Sequence, residues 1–256
     1  MKLSLKSLKN RLRTIASNRL NKIEILHLLD YEKKTIYLHN NIRTASVAKE
    51  PETVEWIETF NKADVAYDIG ANIGAYSLIM ALRASRVYAI EPTYLNFNLL
   101  TKNILTNTTK GVIPGNLTPL NIALSDTTSL IELNYSNLEL GGSNHQIASG
   151  GNTYNNFKPV FTGRVLCYSL DDLVKTFNLE PPQHIKIDVD GVECPIIRGA
   201  AATLSHPRLK SLMIEIDQNS KEFSNICDLL SNNFSLKKSY LRNTSKSVAN
   251  HLFVRR

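Results

Sequence analysis

Three carboxylates stand close together in residues 184–195, which read His-Ile-Lys-Ile-Asp-Val-Asp-Gly-Val-Glu-Cys-Pro. Alternate residues of a strand point to the same side, so Lys186, Asp188 and Asp190 share a side, and Glu193 follows three residues later. Asp188, Asp190 and Glu193 are therefore candidate general bases. The same oxygens also suit a divalent metal ion, should one be bound. A second interpretation, without chemistry, is a helix-capping box formed by Asp190 and Glu193.

A glycine turn follows the apolar run at residues 65–69 and precedes a helix pattern. Gly70 permits a tight turn, and the N–H groups at the helix start can face a ligand. Counted from Gly70, the sequence is Gly-x-Asn-x-x-Ala, which lacks two of the three glycines of the dinucleotide fingerprint. Asp68 would repel a pyrophosphate and attract a cationic amino group and a sulfonium. The segment therefore favours S-adenosylmethionine (SAM) over NAD, although Asp68 could instead only stabilise the turn.

Two further strand ends carry residues suited to a nucleoside. Glu91 follows the run at residues 87–90 and comes 21 residues after Gly70, a spacing suited to ribose hydroxyls. Pro92 then gives a rigid exit turn. Residues 121–126 pair a third strand with a polar turn that can face an adenine ring, although Ser-Asp is also an ordinary turn dipeptide.

A polar stretch at about residues 127–169 interrupts the regular pattern and includes a glycine-rich segment at residues 141–146. Long irregular stretches inside compact domains are often binding loops. His145 lies in this segment, where a base could close over an acceptor, so it is a further candidate catalytic residue. A lone loop histidine is more often a surface residue. Residues 130–135 and 163–168 are predicted to form a small hairpin within the stretch.

Elsewhere, short apolar runs alternate with helical patterns, which indicates a mostly parallel sheet with helices on both faces. Strands are predicted at residues 35–38, 65–69, 87–90, 120–124, 184–189, 209–216, 236–241 and 251–255. Helices are predicted at residues 52–60, 73–82, 95–105, 170–177, 196–204 and 223–231.

The net charge of +7 is concentrated at the beginning of the chain. Of the 30 basic residues, seven lie in residues 1–22, which contain no acid, so the rest of the chain is formally neutral. A nucleic-acid partner is therefore not expected, because such proteins usually carry basic residues across a folded surface. Apolar residues recur at helical spacing on this basic segment, at Leu5, Leu8, Leu12 and Ile15. They predict an N-terminal amphipathic helix that packs on the domain, contacts an anionic membrane or partner, or serves in targeting.

The remaining composition is that of a globular protein. No apolar run reaches the 18–20 or so residues that span a bilayer, and no secretory signal is evident. The three cysteines are too few and too dispersed for a zinc site or a disulfide framework. We expect a cytoplasmic protein with a basic leader at residues 1–22 and a single catalytic domain at residues 23–256.

The motifs together resemble those of the FkbM-type SAM-dependent methyltransferases over roughly residues 50–256. The chain has DxGANxGxxS at residue 68, EP at residue 91, NxALSD at residue 121, HIKIDVDGxE at residue 184, RGA at residue 198 and IEI at residue 214. The resemblance implies a Rossmann-like class I methyltransferase fold, α/β, with a seven-stranded sheet whose last strand is antiparallel. It also implies methyl transfer to oxygen, commonly on sugars or polyketide-type products.

The resemblance assigns roles to individual residues. Asp188 would lie near the transferring methyl group, Glu91 would hold the ribose, and Ala123 and Asp126 would flank adenine. The remaining candidates for contact with SAM are Asp68, Gly70, Ala71, Asn72, Gly74, Ser77 and Pro92.

The expected function is methylation of a sugar hydroxyl, in a cell-surface polysaccharide or a glycosylated metabolite, with SAM as cofactor and a divalent metal possible. The alternatives are methylation of a polyketide-type or other small molecule, and a SAM-binding module without catalysis. Methylation of RNA or protein and NAD-dependent oxidoreduction are less favoured.

Overall fold

The computed structural model describes residues 13–19, 22–39, 47–139, 141–142, 146–147, 158–242 and 245–256. In this part of the chain, the first three strands form a small antiparallel sheet: β1 (Arg13–Arg19), β2 (Lys22–Tyr31) and β3 (Lys34–Leu38).

After β3, helices and strands alternate as far as β6 and, apart from the neighbouring helices α5 and α6, again from β10 to β13. In order they are α1 (Pro51–Glu58), β4 (Val65–Ile69), α2 (Ala75–Arg83), β5 (Arg86–Ile90), α3 (Tyr94–Thr109), β6 (Leu117–Leu120), β7 (Ala123–Ser125), β8 (Ser129–Tyr135), β9 (Gln146–Ile147), β10 (Phe161–Ser169), α4 (Leu170–Thr176), β11 (His184–Ile187), α5 (Glu193–Arg198), α6 (Ala201–Ser205), β12 (Ser211–Asp217), α7 (Lys221–Leu230), β13 (Phe234–Leu241) and β14 (Val248–Arg255).

The central sheet has seven strands in the order β13-β14-β12-β11-β4-β5-β6. β6, β5, β4, β11 and β12 are parallel, whereas β14 is antiparallel to both of its neighbours. Alternate residues of β4 face two separate cores: Tyr67 contributes to one and Ala66 to the other. The first core includes Ile196 of α5, and the second includes Leu78 of α2. The predicted mostly parallel sheet with an antiparallel last strand and helices on both faces is therefore confirmed.

The predicted N-terminal helix is wrong for residues 13–19, which form strand β1. The β1–β2 ladder runs from Arg13 opposite Leu28 to Arg19 opposite Lys22. Backbone hydrogen bonds to β2 therefore take precedence over the apolar spacing that suggested a helix. Residues 1–12, which hold most of that pattern, lie outside the described residues, and the division of the chain after residue 22 stays a prediction.

Two predicted elements are each divided in two. The strand predicted at residues 120–124 becomes β6 in the central sheet and β7 in a second sheet. The side chain of Asn121 donates between them to the carbonyls of Glu91 and Pro92, at 2.8 and 3.1 Å. The helix predicted at residues 196–204 becomes α5 and α6. It breaks at Gly199, where a Cβ atom would lie 2.2 Å from the carbonyl oxygen of Ser125.

The second sheet has the order β7-β10-β8-β9. β8 and β10 are antiparallel, which confirms the hairpin predicted within the polar insertion. No helix of the described residues is long and apolar enough to cross a membrane.

A buried hydrogen-bond network joins the amino ends of β11 and β12 to α1. The imidazole of His184 contacts the carboxylate of Asp64 at 3.0 Å and the hydroxyl of Ser211 at 2.8 Å, and Ser211 accepts from the indole of Trp56 at 2.8 Å. Neutral His184 with its proton on Nε2 satisfies all three contacts. The three groups lie outside the cavity described below, so the network has the composition of a Ser-His-Asp triad but a structural role.

His184 makes the stability of the fold depend on pH. Burial lowers the pKa of His184 to about 4, although the hydrogen bond to Asp64 opposes that shift. Because the unfolded histidine titrates near 6.5, its contribution is complete above that pH and is lost as the pH falls toward 4. We expect the free energy of unfolding of the wild type to fall by about 3 kcal/mol more than that of His184→Gln over this window. Urea titrations at several pH values, followed by the fluorescence of Trp56, measure the free energy of unfolding. If this free energy changes equally with pH in the two proteins, the account is contradicted.

Gly74 is the residue before α2 and lies close to Leu100 of α3. Its φ is +84°, and an added Cβ would lie 2.4 Å from Cδ1 of Leu100. Gly111 has a φ of +67° but no atom within 4 Å of an added Cβ, so it is a matched control for the backbone effect. Gly111→Ala should reduce stability by about 1 kcal/mol, and Gly74→Ala by a further 1–3 kcal/mol or so. If urea denaturation shows equal losses of stability for the two variants, the contact between residue 74 and Leu100 does not limit the packing of α2 on α3.

Candidate active site

A cavity of about 230 Å³ opens where β4, β5, β11 and β12 end. Their carboxyl ends meet at one edge of the parallel sheet, which is where ligands of open α/β folds bind. Nine of the residues proposed from the sequence line this cavity: Asp68, Gly70, Ala71, Asn72, Glu91, Pro92, Ala123, Asp188 and Asp190.

The turn after β4 is pressed against the end of β11. Gly70 has a φ of +80°, and an added Cβ would lie 1.9 Å from the carbonyl oxygen of Asp188. Most N–H groups of the turn are used internally, because Gly70 and Ala71 donate to Ile90 and Asn72 donates to Glu91. The sequence had suggested that the turn offers free N–H groups to a ligand. In the structure, the turn shapes the cavity mainly through the close approach of its backbone to β11.

Asp68 carries a buried oxygen atom without a hydrogen-bond partner. The residue is 1% exposed; its Oδ2 accepts from the hydroxyl of Ser77, while Oδ1 has no partner. Burial raises the pKa of Asp68, and the charge of Lys186 and the bond from Ser77 oppose the rise. A cationic donor in the cavity would complete the hydrogen bonding of this carboxyl group.

Glu91 is held rigidly at the end of β5. Its Oε2 accepts from the N–H of Asn72 at 2.8 Å, and its Oε1 accepts from the N–H of Thr93 at 2.9 Å and from the Thr93 hydroxyl. Burial raises the pKa of Glu91 against the opposing hydrogen bonds from Thr93 and Asn72. Oε1 therefore has both lone pairs in use, whereas Oε2 retains one that can accept from a ligand.

The polar insertion reaches the glycine turn through Gly142. Its carbonyl accepts from the side-chain amides of Asn72 and Asn96, each at 3.0 Å, and Gly141 donates to Asn96 at 2.9 Å. Gly142 also lines the cavity. This part of the insertion therefore lies at the site, as expected for a binding loop. His145 lies outside the described residues.

Four of the proposed residues lie away from the cavity. Gly74 precedes α2 and donates to the carbonyl of Ala71 in the turn, and Ser77 within α2 donates to Asp68. Asp126 comes directly after β7, which belongs to the second sheet, and its carboxylate forms an ion pair with Arg198 at 3.0 Å. Glu193 is buried in α5, where burial raises its pKa to about 8.

The alternative interpretations of the acidic segment are also tested in part. The residue that caps α5 is Val192, without a side-chain hydrogen bond, so the capping box of Asp190 and Glu193, the alternative without chemistry, does not form. Within the described residues, no cluster of three or more His, Cys, Asp or Glu side chains is arranged to hold a metal ion.

Lys186 places a positive charge inside the site. It is 2% exposed, and its ammonium donates to Oδ2 of Asp188 at 2.6 Å and lies 5.0 Å from the ring centre of Tyr76. Burial lowers the pKa of Lys186, but the charges of Asp188 and Asp68 raise it by more. The net pKa is therefore raised and the lysine is cationic. The sequence indicated the contact between Lys186 and Asp188, because alternate residues of a strand point to the same side.

A second charged group was not expected from the sequence. Arg242 donates to Glu50 at 3.0 Å and to Glu215 at 2.7 Å, and the hydroxyl of Tyr76 donates to Glu50 at 2.9 Å. All four residues line the cavity. Glu50, Glu215 and Arg242 together are called the β12 wall below. Glu50 and Arg242 come from distant parts of the chain and no local motif marks them, whereas Glu215 lies in the Ile-Glu-Ile motif at residue 214, to which no role was assigned.

Comparison with known proteins agrees with this geometry. Residues 68–239 match the family model described as the Methyltransferase FkbM domain. A curated relative, the hexuronic acid methyltransferase AglP of Haloferax volcanii, is 28% identical over 148 residues, which are 58% of this chain and 54% of the relative. The chain therefore spans about half the length of that relative.

A solved structure shares the fold. The FkbM methyltransferase of Methylobacillus flagellatus superposes with a TM-score of 0.52 at 16% identity, covering 76% of this chain and 44% of that one. The family match includes more than half of the chain, from Asp68 of the glycine turn to β13. The chain belongs to the FkbM methyltransferase family.

Proposed function

We propose that this protein transfers a methyl group from SAM to a hydroxyl group of a sugar. The observation that carries the proposal is the convergence of Asp68, Glu91 and Asp188 on one cavity at the carboxyl edge of the sheet. These carboxyl groups come from three neighbouring strands, and they suit a ligand with a cation at one end and ribose hydroxyls at the other.

The cavity fits an S-adenosyl group by the chemistry of its lining. Oε2 of Glu91 offers a carboxylate lone pair to a ribose hydroxyl, and the unpartnered Oδ1 of Asp68 suits the amino group. Beyond Glu91, the lining at Ile122, Ala123 and Leu133 is apolar and suits a flat aromatic base. SAM supplies a methyl group that its sulfonium has already activated.

The residues of the chain then have mainly to position the reactants. Holding an acceptor oxygen at near-attack distance provides a large part of such a rate enhancement. Lys186 holds Asp188 at the end of β11, where the backbone approach of Gly70 fixes the neighbouring turn. These contacts hold Asp188 and the glycine turn in fixed positions relative to each other.

The sugar acceptor is proposed from the curated relative, whose name describes a hexuronic acid methyltransferase. A cell-surface polysaccharide or a glycosylated metabolite is the expected form of the acceptor. A polyketide-type or other small molecule is the alternative, and a SAM-binding module without catalysis would bind the cofactor without turnover. A divalent metal, membrane contact through residues 1–22 and a cytoplasmic location stay predictions.

The structure distinguishes two residues that the sequence assigned to SAM. Glu91 lines the cavity, whereas Asp126 is paired with Arg198 outside it. We expect Glu91→Gln to weaken the binding of S-adenosylhomocysteine by about 10–100-fold, because a charged hydrogen-bond acceptor is lost. Asp126→Asn should change the Kd by less than about threefold. Isothermal titration calorimetry measures both, and an equal effect of the two variants would contradict this placement of the nucleoside.

Methyl transfer itself can be tested with tritium-labelled SAM and surface glycans of the producing cell. We expect wild-type protein to label the glycan fraction, and the label to resist mild alkali, because a methyl ether is stable under conditions that hydrolyse an ester. Label released as methanol would indicate a carboxyl acceptor. Binding of S-adenosylhomocysteine without transfer to glycans or small molecules would favour the binding module, and the absence of any binding would contradict the proposal.

A further inference from the structure

The β12 wall lies at the opposite end of the cavity from the proposed ribose site. Glu91 follows β5 and Glu215 lies on β12, and the sheet order places β4 and β11 between them. Three strand spacings separate β5 from β12, which is about 14 Å across the sheet. If the nucleoside occupies the β5 end, the methyl group faces Asp188 and the space over β12 remains for the acceptor.

The two cations at this end are already paired. Lys186 donates to Asp188 at 2.6 Å, and Arg242 donates to both Glu50 and Glu215, at 3.0 and 2.7 Å. Asp190 adds a further carboxyl group to the lining. Within the described residues, carboxyl groups therefore outnumber cations at the acceptor end, and both cations are bound to carboxylates. Such a surface repels an anionic acceptor and offers hydrogen-bond acceptors to hydroxyl groups.

Glu215 has an oxygen atom that no other group uses. Its Oε1 accepts from Arg242, whereas its Oε2 is buried without a hydrogen-bond partner. The terminal torsion of a glutamate is soft. Rotation about this torsion is the movement by which Oε2 would reach a hydroxyl group bound in the cavity that Glu215 lines.

We propose that the β12 wall binds an uncharged, hydroxyl-bearing acceptor and that Glu215 is the base that accepts the proton of the reacting hydroxyl. The inference rests on the proposed function. In the transfer step, the acceptor O–H bond breaks and its proton goes to Oε2 of Glu215. The oxygen forms the new C–O bond to the methyl carbon, and the S–CH3 bond breaks with its electron pair left on sulfur.

The electrostatic surroundings of Glu215 suit this role. Burial raises its pKa to about 8, with help from the charges of Asp188 and Glu50, while Arg242 and Lys186 oppose the rise. A carboxylate with this pKa is a stronger base than an ordinary glutamate and is partly ionised near neutral pH. Because only the ionised form accepts a proton, kcat should rise with pH and level off above about 8. A carboxylate acceptor, which is already ionised, would need no such base.

The test compares wild-type protein with Glu215→Gln and with Glu132→Gln. Glu132 lies on β8, where it forms an exposed pair with Arg164 at 3.6 Å, and its variant controls for the loss of a surface charge. Each protein is assayed for methyl transfer to the surface glycans of the producing cell across pH 6–9, and for binding of S-adenosylhomocysteine by calorimetry. Carbon-13 NMR of labelled glutamate carboxyl groups is recorded over the same pH range. Because the pKa of Glu193 is also about 8, a Glu193→Gln spectrum separates its resonance from that of Glu215.

We expect Glu215→Gln to reduce kcat at least 100-fold and to bind S-adenosylhomocysteine within threefold of the wild type. It should also lack one carboxyl resonance that titrates near pH 8 in the wild type. Glu132→Gln should match the wild type in all three measurements. Wild-type label should be found in neutral glycans as an alkali-stable ether.

Three outcomes would overturn the inference. The base assignment fails if Glu215→Gln keeps more than a third of kcat, or if the resonance missing from it titrates below pH 6. The substrate class fails if the label is an alkali-labile ester. If wild-type protein binds no S-adenosylhomocysteine or transfers no methyl group, the proposed function itself fails and this inference fails with it.

Discussion

The backbone contact between the β4 turn and the end of β11 is the constraint on which the site depends. Gly70 lies so close to the carbonyl oxygen of Asp188 that any side chain would overlap it. This contact aligns the carboxyl ends of β4 and β11. Asp68 is thereby placed beside Lys186 and Asp188, and the N–H of Asn72 reaches Glu91 on the next strand. A single tight turn thus determines where four charged groups stand.

Those charges are buried, and burial of an ion is costly unless it is paired and hydrogen-bonded. Lys186 lies between two carboxyl groups, and Arg242 bridges Glu50 and Glu215. The pairing is incomplete, because one oxygen of Asp68 and one of Glu215 lack partners. An unsatisfied buried oxygen needs an explanation, and for one in a residue that lines a cavity a ligand contact is such an explanation. Here both residues line one cavity, Asp68 on β4 and Glu215 on β12 two strands away, which matches the needs of a cationic donor and a hydroxyl acceptor.

The sequence predicted what local patterns determine. The glycine turn, the Glu91 strand end and the β8–β10 hairpin follow from residue spacing, and the antiparallel last strand from the family resemblance. Contacts between distant segments gave no such signal: Glu50 and Arg242 are 192 residues apart. The same limitation explains why a helix was predicted where β1 pairs with β2. It also explains why Asp126 was expected at the cavity, although β7 before it belongs to the second sheet. Local spacing does not specify the sheet that a short strand joins.

The most direct test of the account is a crystal structure of the full chain with S-adenosylhomocysteine. We predict the ribose hydroxyls within about 3.2 Å of the Glu91 carboxylate and the amino group beside Asp68. The β12 wall should remain open for the acceptor. A ligand whose ribose lies away from Glu91, or one that occupies the space beside Glu215, would contradict the account.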